Sequence, residues 1–305
     1  MNREYLEAAR LMIQVAPLVL VDDQFGLKGG TAINLFIRDM PRLSVDLDLV
    51  FTDHTVGREE ALTRISAAVR DAAERLRARR FEVYMPEAGG DGDTKLMVRS
   101  GAAEVKVEVN PVMRGTVHRV RRANLTLLAR DTLLADIEIP VLASEDVYGG
   151  KIVAALDRQH PRDLFDVMEL FKHEGITPGI RRAFVVYLAC HNRPVHELLF
   201  PKLRDIQMVY ERNFVGMTSQ PTALAALLDT RDRIIEELHA GLDADERRFL
   251  LSLVKAKPEW ELLGIPHLSE LPAVQWKLQN LARLQRERAE QFELQYTALA
   301  GRLRQ

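Results

Sequence analysis

The stretch that most constrains this chain is residues 27–51: Leu27, Lys28, the pair Gly29-Gly30, Thr31, a short apolar run, and then Ser44-Val45-Asp46-Leu47-Asp48-Leu49-Val50-Phe51. A strand presents alternate residues to opposite faces, so Val45, Leu47, Leu49 and Phe51 are expected to be buried, with Ser44, Asp46 and Asp48 on the other side. Two carboxylates so placed lie about 7 Å apart at roughly 3.3 Å rise per residue. Like charges this close repel unless a cation sits between them. Hard carboxylate oxygens suit Mg²⁺, which takes a few carboxylates together with substrate phosphates. Gly29 and Gly30 let backbone approach a phosphate closely, and Thr31 opens a helix whose N–H groups favour an anion. The stretch reads as a metal-dependent nucleotide site, with Lys28 and Ser44 flanking it.

Two further stretches carry chemistry. In Ala103–Asn110, Glu104, Lys106 and Glu108 alternate with Val105, Val107 and Val109. That is either a half-buried strand with a charged outer face, or a strand that brings Glu108 beside Asp46 and Asp48 as a third metal carboxylate. Lys106 shares that face and could screen the acidic cluster or touch substrate. From Asp146 to Asp166 the charges of Lys151, Asp157, Arg158, Arg162, Asp163 and Asp166 crowd into strongly apolar sequence. An Arg–Asp network tying two helices together accounts for Arg158, Arg162 and Asp163. Lys151 follows Gly149-Gly150, which would let its ammonium reach a triphosphate, with Asp166 holding the lysine or touching the nucleotide.

The order Gly-Gly, helix, strand with D-x-D resembles the nucleotidyltransferases of the DNA polymerase β type, and more narrowly the AbiEii/AbiGii toxin family, whose first motif is Gly-Gly or Gly-Ser followed by D-x-D. Thr31 stands where many members have Ser, so its hydroxyl is expected to do similar work. The second family motif, K-x-E or K-x-Q and then a hydrophobic residue, is matched by Lys106, Glu108 and Val109. The third is acidic–hydrophobic–x–Gly–x–Lys–hydrophobic–x–Ala, then Arg, then Arg-Asp-x-x-Asp. It is matched from Asp146 through Gly149, Lys151, Ala154 and Arg158 to Arg162, Asp163 and Asp166. The resemblance covers about residues 25–170, and 264–280 also looks like the family's C-terminal end.

This resemblance implies an α+β fold and a Mg²⁺-dependent nucleotidyltransferase toxin of a toxin–antitoxin or phage-defence system. It implies transfer of NMP from an NTP to an RNA acceptor, the tRNA 3′ end, and a separately encoded antitoxin. Asp46, Asp48, Glu108, Lys151 and Asp166 become the candidate catalytic residues, with the first three on two metal ions. Lys28, Gly29, Gly30, Thr31, Ser44, Lys151, Arg162 and Asp163 become the nucleotide contacts. A phosphotransferase, or a non-catalytic GTP- or NTP-binding regulatory module of the same fold, remains the alternative.

The 305 residues suffice for two domains. We expect a nucleotidyltransferase domain with a mixed sheet over 1–142 and a helical domain over 143–305 that completes the NTP site and the acceptor cleft. Helices are expected at about 2–18 and 58–79, and strands at 81–85, 95–99, 104–109, 125–128 and 137–142. A loop, Gly89-Gly90-Asp91-Gly92-Asp93, separates the first two of these strands. Further helices are expected from Ser144 onward, at 162–173, 179–190, 201–213, 222–239 and 243–256, and one long helix at 271–303.

Net charge of −2 gives no overall pull towards nucleic acid. Arginines do crowd at 75–80 and, with His118, at 114–122; these are either solvated faces or a hold for a polyanionic acceptor close to Glu108. The single cysteine, Cys190, excludes a disulfide framework and a Cys-rich zinc site, and reads as core. A polar start and the lack of a membrane-length apolar run point to a cytoplasmic protein without a membrane partner.

Overall fold

The computed structural model describes residues 3–86 and 94–303. The glycine-rich loop expected at 89–93 lies outside them. By backbone contacts the chain divides into two units, Met1–Val147 with Val215–Pro221, and Tyr148–Phe214 with Thr222–Gln305.

The first unit holds strands β1 (Phe25–Lys28), β2 (Leu47–Phe51), β3 (Glu82–Tyr84), β4 (Lys95–Ser100), β5 (Ala103–Arg114), β6 (Arg121–Asn124) and β7 (Glu138–Val141). They form one mixed sheet in the order β3-β4-β5-β2-β1-β7-β6. β2 runs antiparallel to β1 and parallel to β5, so this is an α+β arrangement. The helices of this unit are α1 (Arg3–Val19), α2 (Gly29–Ala32), α3 (Arg58–Ala78) and α4 (Leu127–Leu133). One sheet face is apolar because Leu27, Leu47, Leu49, Val107 and Val109 alternate onto it, each at most 1% exposed. α1 and α3 pack on β5 and β4 and bring buried Met12, Val15, Ile65 and Val69. Each such side chain contributes about 1.5–3 kcal/mol of burial. The opposite face keeps the polar alternates, and there the candidate site lies.

The helix α5 (Ser144–Arg158) starts among residues of the first unit. The second unit continues it with α6 (Pro161–Lys172), α7 (Pro178–Cys190), α8 (Val195–Leu199), α9 (Gln207–Asn213), α10 (Leu224–Gly241), α11 (Ala244–Val254), α12 (Pro272–Glu287) and α13 (Ala289–Leu303). α6 packs on α10, and α7 packs on α11 and α12. Asp243 and Glu246 form the reciprocal capping box that opens α11. Cys190 is buried, and burial pushes its thiol up to about 12, so it behaves as a core residue rather than a nucleophile.

Several expected elements are corrected. The run 125–128 is not a strand: Thr126 adopts an extended N-cap conformation and α4 starts at Leu127, while the ladder to β7 is made by the preceding Arg121–Asn124. Residues 201–206 are not helical. Gln159 donates to the Lys202 carbonyl (2.9 Å) and accepts from the Arg204 N–H (2.9 Å), and Arg231 donates to the Arg204 carbonyl (2.8 Å). These bonds satisfy the backbone in an extended form that competes with a helix. The long final helix breaks at Arg288 (φ −147°, ψ 63°). Beyond the break α13 packs on α8 and α11 while α12 packs on α7, and Leu281, Phe292 and Leu299 are buried there.

Candidate active site

Strand register gathers the charged residues. Lys28 lies opposite Asp48, Asp48 opposite Glu108, and Glu108 opposite Lys95. Directly opposed residues share a face, and neighbouring strands are about 4.8 Å apart, so a Lys–Asp–Glu–Lys row crosses four strands. Lys95 Nζ sits 3.0 Å from one Glu108 oxygen and Lys106 Nζ 2.9 Å from the other. Burial acts to raise the Glu108 carboxyl, but the hydrogen bonds from Lys106 and Lys95 outweigh it and hold the group below its ordinary value. The hydrogen bond to Glu108 likewise lifts the Lys106 ammonium, with Asp46 and Asp48 adding to the pull. Lys106 thus sits in the field of all three carboxylates.

Asp46 precedes β2 rather than lying in it, and Val45 is correspondingly half-buried instead of core. A side chain takes the place of the ladder here. Thr31 Oγ1 donates to the Asp46 carbonyl at 2.6 Å and lies 3.0 Å from Ser44 Oγ. Thr31 is 1% exposed, so its hydroxyl, expected to face substrate, instead fixes the approach to the two aspartates.

The two glycines are explained by close approach. Gly29 has φ +75°, and a Cβ there would come within 2.9 Å of Asp48 Oδ2. A Cβ on Gly30 would meet Arg42 Nη2 at 2.6 Å and Ser44 Oγ at 2.9 Å. Asn34 Nδ2 donates to the Gly30 carbonyl at 2.8 Å. Only glycine lets the Asp48 carboxylate and the Arg42 guanidinium lie against the turn. Arg42, Asn34 and Lys95 are residues that sequence reasoning passed over. The signal for Asn34 was its place four residues after Gly30; Lys95 and Arg42 needed the register and the tertiary packing.

In the second unit Lys151 Nζ is 3.1 Å from Asp163 Oδ1 and 2.9 Å from Asp166 Oδ2, all three side chains at most 7% exposed. The ammonium expected to reach a triphosphate is thus held by two carboxylates. Arg158 adds a second cation on Asp163 at 2.9 Å. Burial pushes the Asp163 carboxyl up, and Lys151 and Arg158 overcome it to leave the group lowered. Gly149 is also reassigned. A Cβ there would stand 2.7 Å from the Phe184 backbone N, so this glycine lets α5 press against α7. Arg162 is half-buried in the first turn of α6, whose N-cap is the His160 ring.

Asp146 fixes the 116–118 loop: its carboxylate accepts the N–H groups of Val117 (2.7 Å) and His118 (3.0 Å) and contacts His118 Nδ1 at 2.8 Å. The arginine runs disperse. Arg75 donates to the Leu18 carbonyl and Arg77 to that of Val83. Arg114 is 7% exposed, and burial with Arg58 nearby lowers its guanidinium. Arg121 and Arg122 lie on β6, separated from β5 by β2, β1 and β7, or roughly 19 Å at about 4.8 Å per strand. Chain proximity therefore does not place them beside Glu108, because the sheet interposes three strands.

Asp46 and Asp48 offer hard oxygen donors on a face where a lysine ammonium already nests, which fits a divalent cation. Among the described residues no three His, Cys, Asp or Glu side chains are grouped to hold an ion by themselves, and both Glu108 oxygens are on lysines. An aspartate pair completed by substrate phosphates is the coordination Mg²⁺ favours. Among the described residues no helix is long and apolar enough to cross a membrane.

The fold is shared with solved structures, of which seven chains match. The nucleotidyltransferase toxin MenT4 from Mycobacterium tuberculosis H37Rv superposes with a TM-score of 0.61 at 21% identity, over 92% of this chain and 94% of that one. No curated protein sequence matches. The model of the family described as nucleotidyl transferase AbiEii toxin, type IV toxin–antitoxin system, matches residues 10–280. The chain therefore belongs to the AbiEii family and is a nucleotidyltransferase toxin of a type IV toxin–antitoxin system.

Proposed function

We propose that this toxin transfers a nucleoside monophosphate from an NTP to an RNA acceptor, the tRNA 3′ end, in a Mg²⁺-dependent reaction opposed by its cognate antitoxin. The observation that carries the reading is the row Lys28–Asp48–Glu108–Lys95, whose Asp48 carboxylate lies against the Gly29 turn. Asp46 and Asp48 would hold the ions, with Ser44 and Thr31 fixing the strand that presents them. Mg²⁺ bound there would neutralise charge on the attacking and leaving oxygens of an in-line displacement.

The protein's own groups do the rest. Gly29 and Gly30 let backbone N–H groups approach the triphosphate, and Lys28 adds charge beside them. Lys95 and Lys106 offset part of the negative charge of the acidic face until cation and substrate arrive. Glu108, kept ionised by those lysines, accepts the hydrogen of the acceptor hydroxyl and orients it. Lys151 and Arg162 are assigned to substrate charge on the strength of the motif they share, with Asp163 and Asp166 holding the lysine.

Asp48→Asn keeps shape and hydrogen bonding but removes a charge. We expect it to abolish transfer of label from α-labelled NTP to RNA while the protein still melts cooperatively near the wild-type temperature. Undiminished transfer by that variant would overturn the assignment.

A further inference from the structure

Arg42 lies in the spacer between the Gly-Gly turn and the two aspartates, and it is 3% exposed. Burying a guanidinium is costly, and an apolar side chain would fill the same volume without that cost. Its Nη1 donates to the Leu43 carbonyl at 2.9 Å, and its Nη2 occupies the space that a Cβ on Gly30 would enter. The cation therefore lies close beside Gly30.

The spacer is gripped by a segment far away in sequence. Arg42 pairs with Thr218 in an antiparallel bridge. The Leu43 N–H donates to the Met217 carbonyl at 3.2 Å, and the Ser219 N–H donates to the Pro41 carbonyl at 2.9 Å. Ser219 Oγ donates to that same carbonyl at 3.1 Å, and Met217 is 5% exposed. Residues 215–221, which count with the first unit although helices flank them in the chain, thus brace both sides of Arg42.

We propose that Arg42 is a nucleotide-positioning residue: braced by residues 217–219, its guanidinium fixes the Gly29–Gly30 backbone and supplies a preorganised positive charge behind the turn that receives the triphosphate. This rests on the reading of that turn as the phosphate site. A buried charge is little screened by salt and needs no reorganisation when the anion arrives. Lysine cannot replace it, because a point charge on a flexible stem cannot both hold the Leu43 carbonyl and lie along the turn.

The test compares the 305-residue wild-type chain, Arg42→Lys and Arg42→Met by calorimetry with inorganic tripolyphosphate and with ATP, CTP, GTP and UTP in turn, alongside steady-state transfer and melting. Arg42→Lys should weaken tripolyphosphate and NTP alike by about tenfold, which is about 1.4 kcal/mol. KM should rise in step, kcat should change less, and melting should stay near wild type. Arg42→Met should lose more. Tripolyphosphate and NTP affinities in Arg42→Lys equal to wild type would overturn the proposal, as would loss of cooperative melting in that variant, which would make the residue purely structural. If the wild type itself bound no tripolyphosphate, the reading of the turn would fail, a result visible before any Arg42 variant is compared.

Discussion

Glu108 carries a lysine on each oxygen, and its alternation with Val107 and Val109 was legible because a strand period of two needs no tertiary knowledge. Its partner Lys95 was not legible, since only register puts it opposite. His118 is a similar case. In the sequence it was one more basic residue in a run; in the structure it bonds the fully buried Asp146 carboxylate. That hydrogen bond raises the His118 pKa against the opposing effect of burial. A histidine whose folded value exceeds its unfolded value, about 6.5, stabilises fully below that pH and loses the contribution as pH rises through the folded value. The wild-type melting temperature should therefore contain a fall above about pH 6.5. His118→Gln, which can bond Asp146 without titrating, should lack that component. The effect will be small, because the ring is 40% exposed and solvent screens it. Identical pH profiles for the two proteins would refute the assignment.

Among the elements, α5 and α6 meet through Lys151, Asp163, Asp166 and Arg158, two positive and two negative charges. The charge density was plain in the sequence, but which cation faced which carboxylate depends on how the helices pack. Lys151→Met leaves two buried carboxylates without their shared cation. It should cost about 3–5 kcal/mol in urea unfolding, the usual penalty for breaking a buried pair. Adding Asp163→Asn and Asp166→Asn should recover part of that loss. Wild-type stability in the single variant would show that the cluster is not structural. Elsewhere periodicity located most helices, and the Asp243-x-x-Glu246 cap was readable as such. The extended stretch at 201–206 and the break at Arg288 were not. Each is decided by partners distant in sequence, Gln159 and Arg231 for the first and α8 and α11 for the second.

For the whole molecule, motif order identified the family, and the family model then matched residues 10–280. Motif order could not give the sheet order, in which β5 pairs with β2 and sits far from its successor β6. Nor could it show that residues 215–221 return to the first unit. The first joins Asp48 to Glu108, and the second braces Arg42. Nucleotidyl transfer on the Asp46–Asp48–Glu108 face is tested by mass spectrometry of RNA recovered after incubation of the 305-residue protein with Mg²⁺, total cellular RNA and each NTP in turn. A gain of one or more nucleotide residues at the 3′ end of tRNA is expected; a phosphate-sized gain, or unmodified RNA with every NTP, would refute nucleotidyl transfer to tRNA.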